Sequence, residues 1–134
     1  MIYLTDTNVV IDSLDQKSKN YELLEKLFKT NDIIICGVVR AELLHGAYSQ
    51  KNNCELHGYL SVFRTLNLEG SDWETLGDQL YAYRMGGFTV PFVDAIVAAI
   101  GMKYGIPIWT DDKHFVMMQV VMPQLKIVRT EDLI

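Results

Sequence analysis

The sequence predicts an α/β domain, with a central parallel β-sheet flanked by helices on both faces. Three observations lead there. Short β-branched runs alternate with longer stretches of helical spacing. The strand-like runs are apolar throughout, as strands buried on both faces are, rather than alternating in polarity. The chain, at 134 residues, has the length of one domain, with no repeat, low-complexity tract or linker to divide it. Residues 1–134 are therefore read as a single domain.

Residues 2–5 form a short apolar strand. Residues 8–14 and 21–29 have helical spacing, and 33–36 is a second buried strand. Gly37 offers an entry turn to a helix over 38–48, and a further helix covers 53–64, followed by a weak strand over 65–69. Ser71 with Glu74 fits a capping box that starts the next helix, and Gly86-Gly87 fits its stop. The clearest helix is 91–104, with Pro91 in its first turn and Gly105 at its end. The last strands are 106–110 and 126–129, separated by a short helix over 113–118.

Composition narrows the class. No apolar run approaches the ~20 residues that span a bilayer. The opening residues read as a strand rather than a signal peptide. Cys36 and Cys54 form no CxxC, and His45, His57 and His114 lack zinc-finger spacing. A reducing cytoplasmic compartment suits two unpaired thiols. The net charge of −5 argues against holding nucleic acid by bulk positive charge, yet a carboxylate cluster that meets nucleic acid through a cation would itself lower the charge.

Such a cluster is legible. In open α/β sheets the functional crevice lies at the carboxyl ends of the strands. Asp6 directly follows the first strand, and Asp111 and Asp112 directly follow the 106–110 strand. Glu42 stands about a turn and a half into the helix after the second strand, and Asp94 in the first turn of the 91–104 helix. On helical spacing Glu42 shares a face with Val38, His45 and Gly46, and Asp94 with Val97, Ala98 and Gly101, faces expected to point inward. Two carboxylates about 5 Å apart repel by roughly 3 kcal/mol at an effective dielectric near 20. Several such pairs would consume much of a domain stability of ~5–15 kcal/mol, so the group must hold protons or a cation. Oxygen ligands without His or Cys select hard ions, Mg²⁺ or Mn²⁺. Each acid also has a plainer role open to it. Asp6 can cap the following helix, Asp94 can complement a helix dipole, Glu42 can be solvated, and one of Asp111 and Asp112 can be an N-cap.

The residues resemble a family. MIYLTDTNVVID resembles the first motif of PIN-domain ribonucleases, especially VapC toxins, VRAELLHGA resembles the second, and VPFVDAIVAAIGMKYGIPIWTDDKHF the third and fourth together. The resemblance runs over nearly the whole chain and implies a PIN-like three-layer fold. Asp6, Glu42 and Asp94 match the first three metal-binding acids, and Asp112 the fourth, from the Thr-x-Asp spacing that starts at Thr110. Asp111 is left as a cap or outer residue, with Thr7, Asn8 and Thr110 as polar helpers. The resemblance implies a toxin–antitoxin system: a Mg²⁺- or Mn²⁺-dependent endoribonuclease that hydrolyses RNA to a 5′-phosphate and a 3′-hydroxyl, a cognate antitoxin protein as partner, and a homodimer.

Other residues have weaker claims. His45 and His114 are expected to be structural or solvated, with RNA contact as the alternative. Arg40, Arg84 and Lys113 lie near the motifs as candidate phosphate contacts. Trp73, Tyr81, Tyr83 and Phe88 are read as core or dimer packing before RNA stacking, and the Leu23, Leu24, Leu27, Phe28 stripe as core or antitoxin groove. Haloacid-dehalogenase-type phosphatases need a second Asp where Asn8 stands, and receiver domains need an acidic pair near the first strand and a lysine after the last. No Walker loop or GxGxxG is present. The rival from another class is a PIN scaffold that binds RNA or protein without cutting, which a broken acid set would favour.

Overall fold

The computed structural model describes residues 1–30 and 32–134. Five strands, β1 (Ile2–Thr5), β2 (Asp32–Cys36), β3 (Arg64–Leu66), β4 (Ile108–Trp109) and β5 (Ile127–Val128), form one sheet in the order β3-β2-β1-β4-β5. Every adjacent pair is parallel. Successive strand residues point to opposite faces. Tyr3–Thr5 and Ile33–Cys36 are nevertheless buried at every position, so both faces are covered, as the apolar runs predict. The covering helices are α1 (Thr7–Ser13), α2 (Lys19–Thr30), α3 (Gly37–His45), α4 (Gln50–Leu60), α5 (Asp72–Met85), α6 (Phe92–Tyr104) and α7 (Lys113–Val121). A 3₁₀ turn, Thr130–Leu133, follows β5 and was not anticipated.

The central element is α6. Its residues from Ala95 to Gly101 are buried without a break, the signature of a helix surrounded on all sides. Gly105 ends it in the left-handed region at φ 65°, as the sequence predicts. Gly101 lets it lie against the sheet: a Cβ there would come within 3.0 Å of the Ile108 side chain and 3.1 Å of the Ile106 carbonyl. Fully buried Trp109, Phe115, Ile108 and Met118 complete this side of the core.

Several boundaries move, for local reasons. α4 begins at Gln50 because the Ser49 hydroxyl caps it, accepting from Asn52 N–H at 3.0 Å. It ends at Leu60 because Arg64 is drawn into β3, opposite Ile34. The strand stops at Leu66, since Asn67 turns its side chain to accept from Gly37 N–H. The Ser71–Glu74 capping box does not form: Ser71 is already helical at φ −69°, ψ −6°, and its hydroxyl makes no cap bond. Asp72 takes over, accepting from Glu69 N–H and pairing with Lys103 of α6. Pro91 stands at the N-cap of α6, extended at ψ 137°, rather than in the first turn.

Gly101→Ala is expected to destabilise the fold by about 1–3 kcal/mol, because the fully buried Ile108 side chain and the Ile106 carbonyl would each have to give way. Chemical denaturation of the two proteins measures it, and a change below about 0.5 kcal/mol would mean that α6 can shift.

Candidate active site

The order β3-β2-β1-β4-β5 reverses direction between β1 and β4, which makes their carboxyl ends the topological switch point of the sheet. Asp6 leaves one of these two strands, and Thr110, Asp111 and Asp112 leave the other.

Asp6 is both cap and cluster member. Its Oδ1 accepts from Val9 N–H at 3.0 Å, capping α1. Its Oδ2 accepts a short hydrogen bond from the Thr110 hydroxyl, which itself accepts from Asp112 N–H at 3.0 Å. A chain of bonds thus runs from the backbone after β4 to the carboxylate after β1. Burial pushes the Asp6 carboxyl above the ordinary range, the bonds from Thr110 and Val9 pull it down, and the charges of Asp112 and Asp111 add to the rise.

Asp94 sits in the first turn of α6 and is held inward by that helix's burial. Burial first, then the Asp112 charge, and more weakly Asp6, push its carboxyl up to about 6, while His114 pulls the other way. Asp112 is the N-cap of α7, accepting from His114 N–H at 2.9 Å, so capping falls to the proposed fourth acid rather than to Asp111. Asp111 turns away and accepts from the backbone and hydroxyl of Thr130. Glu42 departs from expectation in another way. It is exposed on α3 and does not face the packed interior, because Leu43 and Val39 take the inward positions. It connects to the site through Thr7, whose hydroxyl donates to its Oε1.

One residue is closer to the centre than its sequence reading suggests. His114 Nδ1 lies 3.2 Å from Asp94 Oδ2 and 3.2 Å from Asp112 Oδ1. The ring comes from the first turn of α7 and leans back over the N-terminus, as side chains on a helix do. The signal was present as Asp-x-His after β4, but no spacing rule tells a helix-start histidine that folds back from a solvated one. Among the described residues no Lys or Arg pairs with Asp6, Glu42, Asp94 or Asp112. Among the described residues, hydrogen bonds reach neither Asp94 Oδ1 nor Asp112 Oδ2. Buried and half-buried carboxylates that repel one another, with vacant lone pairs and no Lys or Arg partner, suit a divalent cation.

A cavity of about 440 Å³ opens beside the cluster, lined on its polar side by Asn8, Asp12, Asn20, Asp111 and Asp112. Arg40 is not available to a phosphate: it donates to Thr65 Oγ1 at 2.6 Å and to the Leu60 and Phe63 carbonyls at 2.9 and 2.6 Å, tying α3 to the edge of the sheet. Arg84 lies over the Tyr81 ring, and Lys113 and His45 are exposed. Tyr83 is core, Phe88 is half-buried, and Trp73 and Tyr81 are exposed.

A sign follows for stability. The folded-state value of Asp94 lies above its ordinary one, so its contribution is full below about pH 4 and is lost as pH rises through about 6. In metal-free protein the stability advantage over Asp94→Asn is expected to shrink by up to about 2 kcal/mol between pH 4 and pH 7, after allowance for solvent screening. Denaturation at the two pH values tests it, and a pH-independent difference would contradict the raised carboxyl.

Residues 3–119 match the PIN domain family. No curated protein matches the chain significantly. Among solved structures, a chain of VapBC2 from Rickettsia felis, crystallised with a promoter DNA fragment, is 23% identical with a TM-score of 0.80, over 96% of this chain and 98% of that one. A chain of DNA-bound VapBC from Salmonella typhimurium is 19% identical with a TM-score of 0.81, over 97% and 98%. A chain of FitAcB from Neisseria gonorrhoeae is 19% identical with a TM-score of 0.75, over 98% and 99%. The three-layer fold, the all-parallel sheet and the match over most of the length agree: the chain belongs to the PIN domain family and has a VapC-like fold.

Proposed function

We propose that this protein is a divalent-metal-dependent endoribonuclease acting as the toxin of a toxin–antitoxin pair. The observation that carries the reading is the meeting of Asp6, Asp94 and Asp112 at the switch point of the sheet with no Lys or Arg among the described residues to neutralise them. Membership of the PIN family and the likeness to chains of VapBC complexes support it. The complete set Asp6, Glu42, Asp94 and Asp112 favours catalysis over a scaffold that only binds.

Asp6, Asp94 and Asp112 would hold Mg²⁺ or Mn²⁺, with Glu42 at the margin, where Thr7 fixes its orientation. The chemistry supplied by a divalent ion there is polarisation of the scissile phosphate and a more acidic bound water. The chain's own part is positional. Thr110 and Val9 fix both oxygens of Asp6 before substrate arrives, so little reorganisation is needed on binding. Glu42, exposed to solvent, would accept a proton from an attacking water. The adjoining cavity, lined by Asn8 and Asn20, gives room for a nucleotide beside the cleaved bond.

The antitoxin reading has its own surface. Leu23, Leu24 and Leu27 of the predicted stripe are core, but Phe28 is 39% exposed. With Leu24, Tyr59, Val62 and Phe63 it lines an apolar groove of about 330 Å³, suited to the apolar face of an amphipathic helix. Trp73, Gly77, Tyr81 and Met85 recur every four residues along the exposed side of α5 and offer a second copy an apolar stripe. No helix among the described residues is long and apolar enough to cross a membrane.

Purified protein incubated with total cellular RNA is expected to cleave it with Mg²⁺ or Mn²⁺ and not with EDTA, and Asp6→Asn and Asp94→Asn are each expected to cost more than about a hundredfold in rate. Ion-independent cleavage, or full activity in both variants, would overturn the reading. For the groove, Val62→Glu is expected to weaken the complex with the antitoxin by tenfold or more in a titration while RNA cleavage by the free protein is unchanged.

A further inference from the structure

We infer that His114 is itself a ligand of the divalent ion, making the site a mixed nitrogen–oxygen one that selects Mn²⁺ over Mg²⁺. This rests on the metal-dependent reading above and adds to it a residue outside the four acids. The geometry carries it. His114 Nδ1 lies 3.2 Å from Asp94 Oδ2 and 3.2 Å from Asp112 Oδ1, and the three residues' ligand atoms all fall within 4.8 Å of one another. At metal–oxygen distances of about 2.1 Å, adjacent corners of an octahedron are about 3 Å apart. The imidazole nitrogen therefore already stands at the spacing of a neighbouring ligand, closer than a solvated side chain would come by chance.

The surroundings hold it there. Asp112 accepts from the backbone N–H of His114, so the carboxylate and the ring are tied to the same helix turn. Asp94 is fixed from the other side by the buried helix α6. The side chain of His114 is 35% exposed, so an ion and a substrate can reach it from solvent. A ring nitrogen that stands 3.2 Å from two carboxylates can share a cation with them. Carboxylates alone suit Mg²⁺, whereas imidazole raises affinity for transition ions and adds little for Mg²⁺, which dehydrates reluctantly and prefers oxygen.

The decisive probe is Mn²⁺ alone with the full-length protein, in wild type, His114→Asn and Asp94→Asn. Asn puts an amide at the place of Nδ1, keeping an oxygen donor and removing the nitrogen ligand. Wild-type protein with ¹⁵N-labelled histidine is expected to show imidazole nitrogen coupled to Mn²⁺ in pulsed EPR, and His114→Asn to lose that coupling. In parallel titrations His114→Asn is expected to weaken Mn²⁺ about tenfold and to leave Mg²⁺ within about twofold. No nitrogen coupling in a wild-type protein that binds Mn²⁺, or an unchanged Mn²⁺-to-Mg²⁺ ratio in His114→Asn, would overturn the assignment and leave the carboxylate site standing. A wild-type protein that binds neither ion would overturn both. Asp94→Asn, expected to lose both ions, fixes the location, and matching circular dichroism and melting curves exclude misfolding.

Discussion

The constraint on which the rest depends is the burial of a carboxylate where β1 meets β4. Asp6 is 3% exposed and lies at the switch point of the sheet, between β1 and β4. A charge there is tolerable only if both oxygens are satisfied. The protein satisfies one with the Val9 amide in the first turn of α1 and the other with the Thr110 hydroxyl, itself oriented by the Asp112 amide. Register between β1 and β4, the start of α1 and the start of α7 are thereby set by one side chain. A slip of β4 by one residue would turn Thr110 to the other face and leave Asp6 unpaired.

The second consequence is electrostatic. Folding brings Asp94 to the same place from α6, at the start of its buried run from Ala95 to Gly101. The pressure shows in both carboxyls, each pushed above its ordinary value first by burial and then by neighbouring acids. Packing energy from α6 and from the Trp109–Phe115 core sustains this unfavourable cluster. Strain of this kind at a concave site is characteristic of groups arranged for a ligand rather than for stability.

Two cations of the flanking helices are used elsewhere. Arg40 directs its guanidinium at two carbonyls and a hydroxyl behind β3, and Lys103 is committed to Asp72. Both serve to join helices to their neighbours, so the acid cluster keeps its negative field. That division agrees with a net charge of −5.

Much of this was legible beforehand. Apolar, unalternating strands dictate a sheet covered on both faces, and acids placed just past strand ends dictate a cluster at the carboxyl edge, because both follow from local periodicity. The strand order, the partnership of Thr110 with Asp6 and the sequestration of Arg40 depend on residues 104 and 20–25 positions apart, and no local pattern encodes them. Ser71 and Glu74 form a plausible local cap, yet Lys103 from a distant helix favours Asp72 instead. Glu42 shows the same limit: helical spacing fixes which residues share its face, but only the packing of α3 decides that this face meets solvent. The sequence by itself determined the layers and placed Asp6 and Asp112 just past strand ends, because periodicity and order are properties of the chain. The tertiary structure alone decided that Asp112 caps α7 and that His114 stands between two carboxylates, because the direction of a side chain at a helix start is settled by what packs around it.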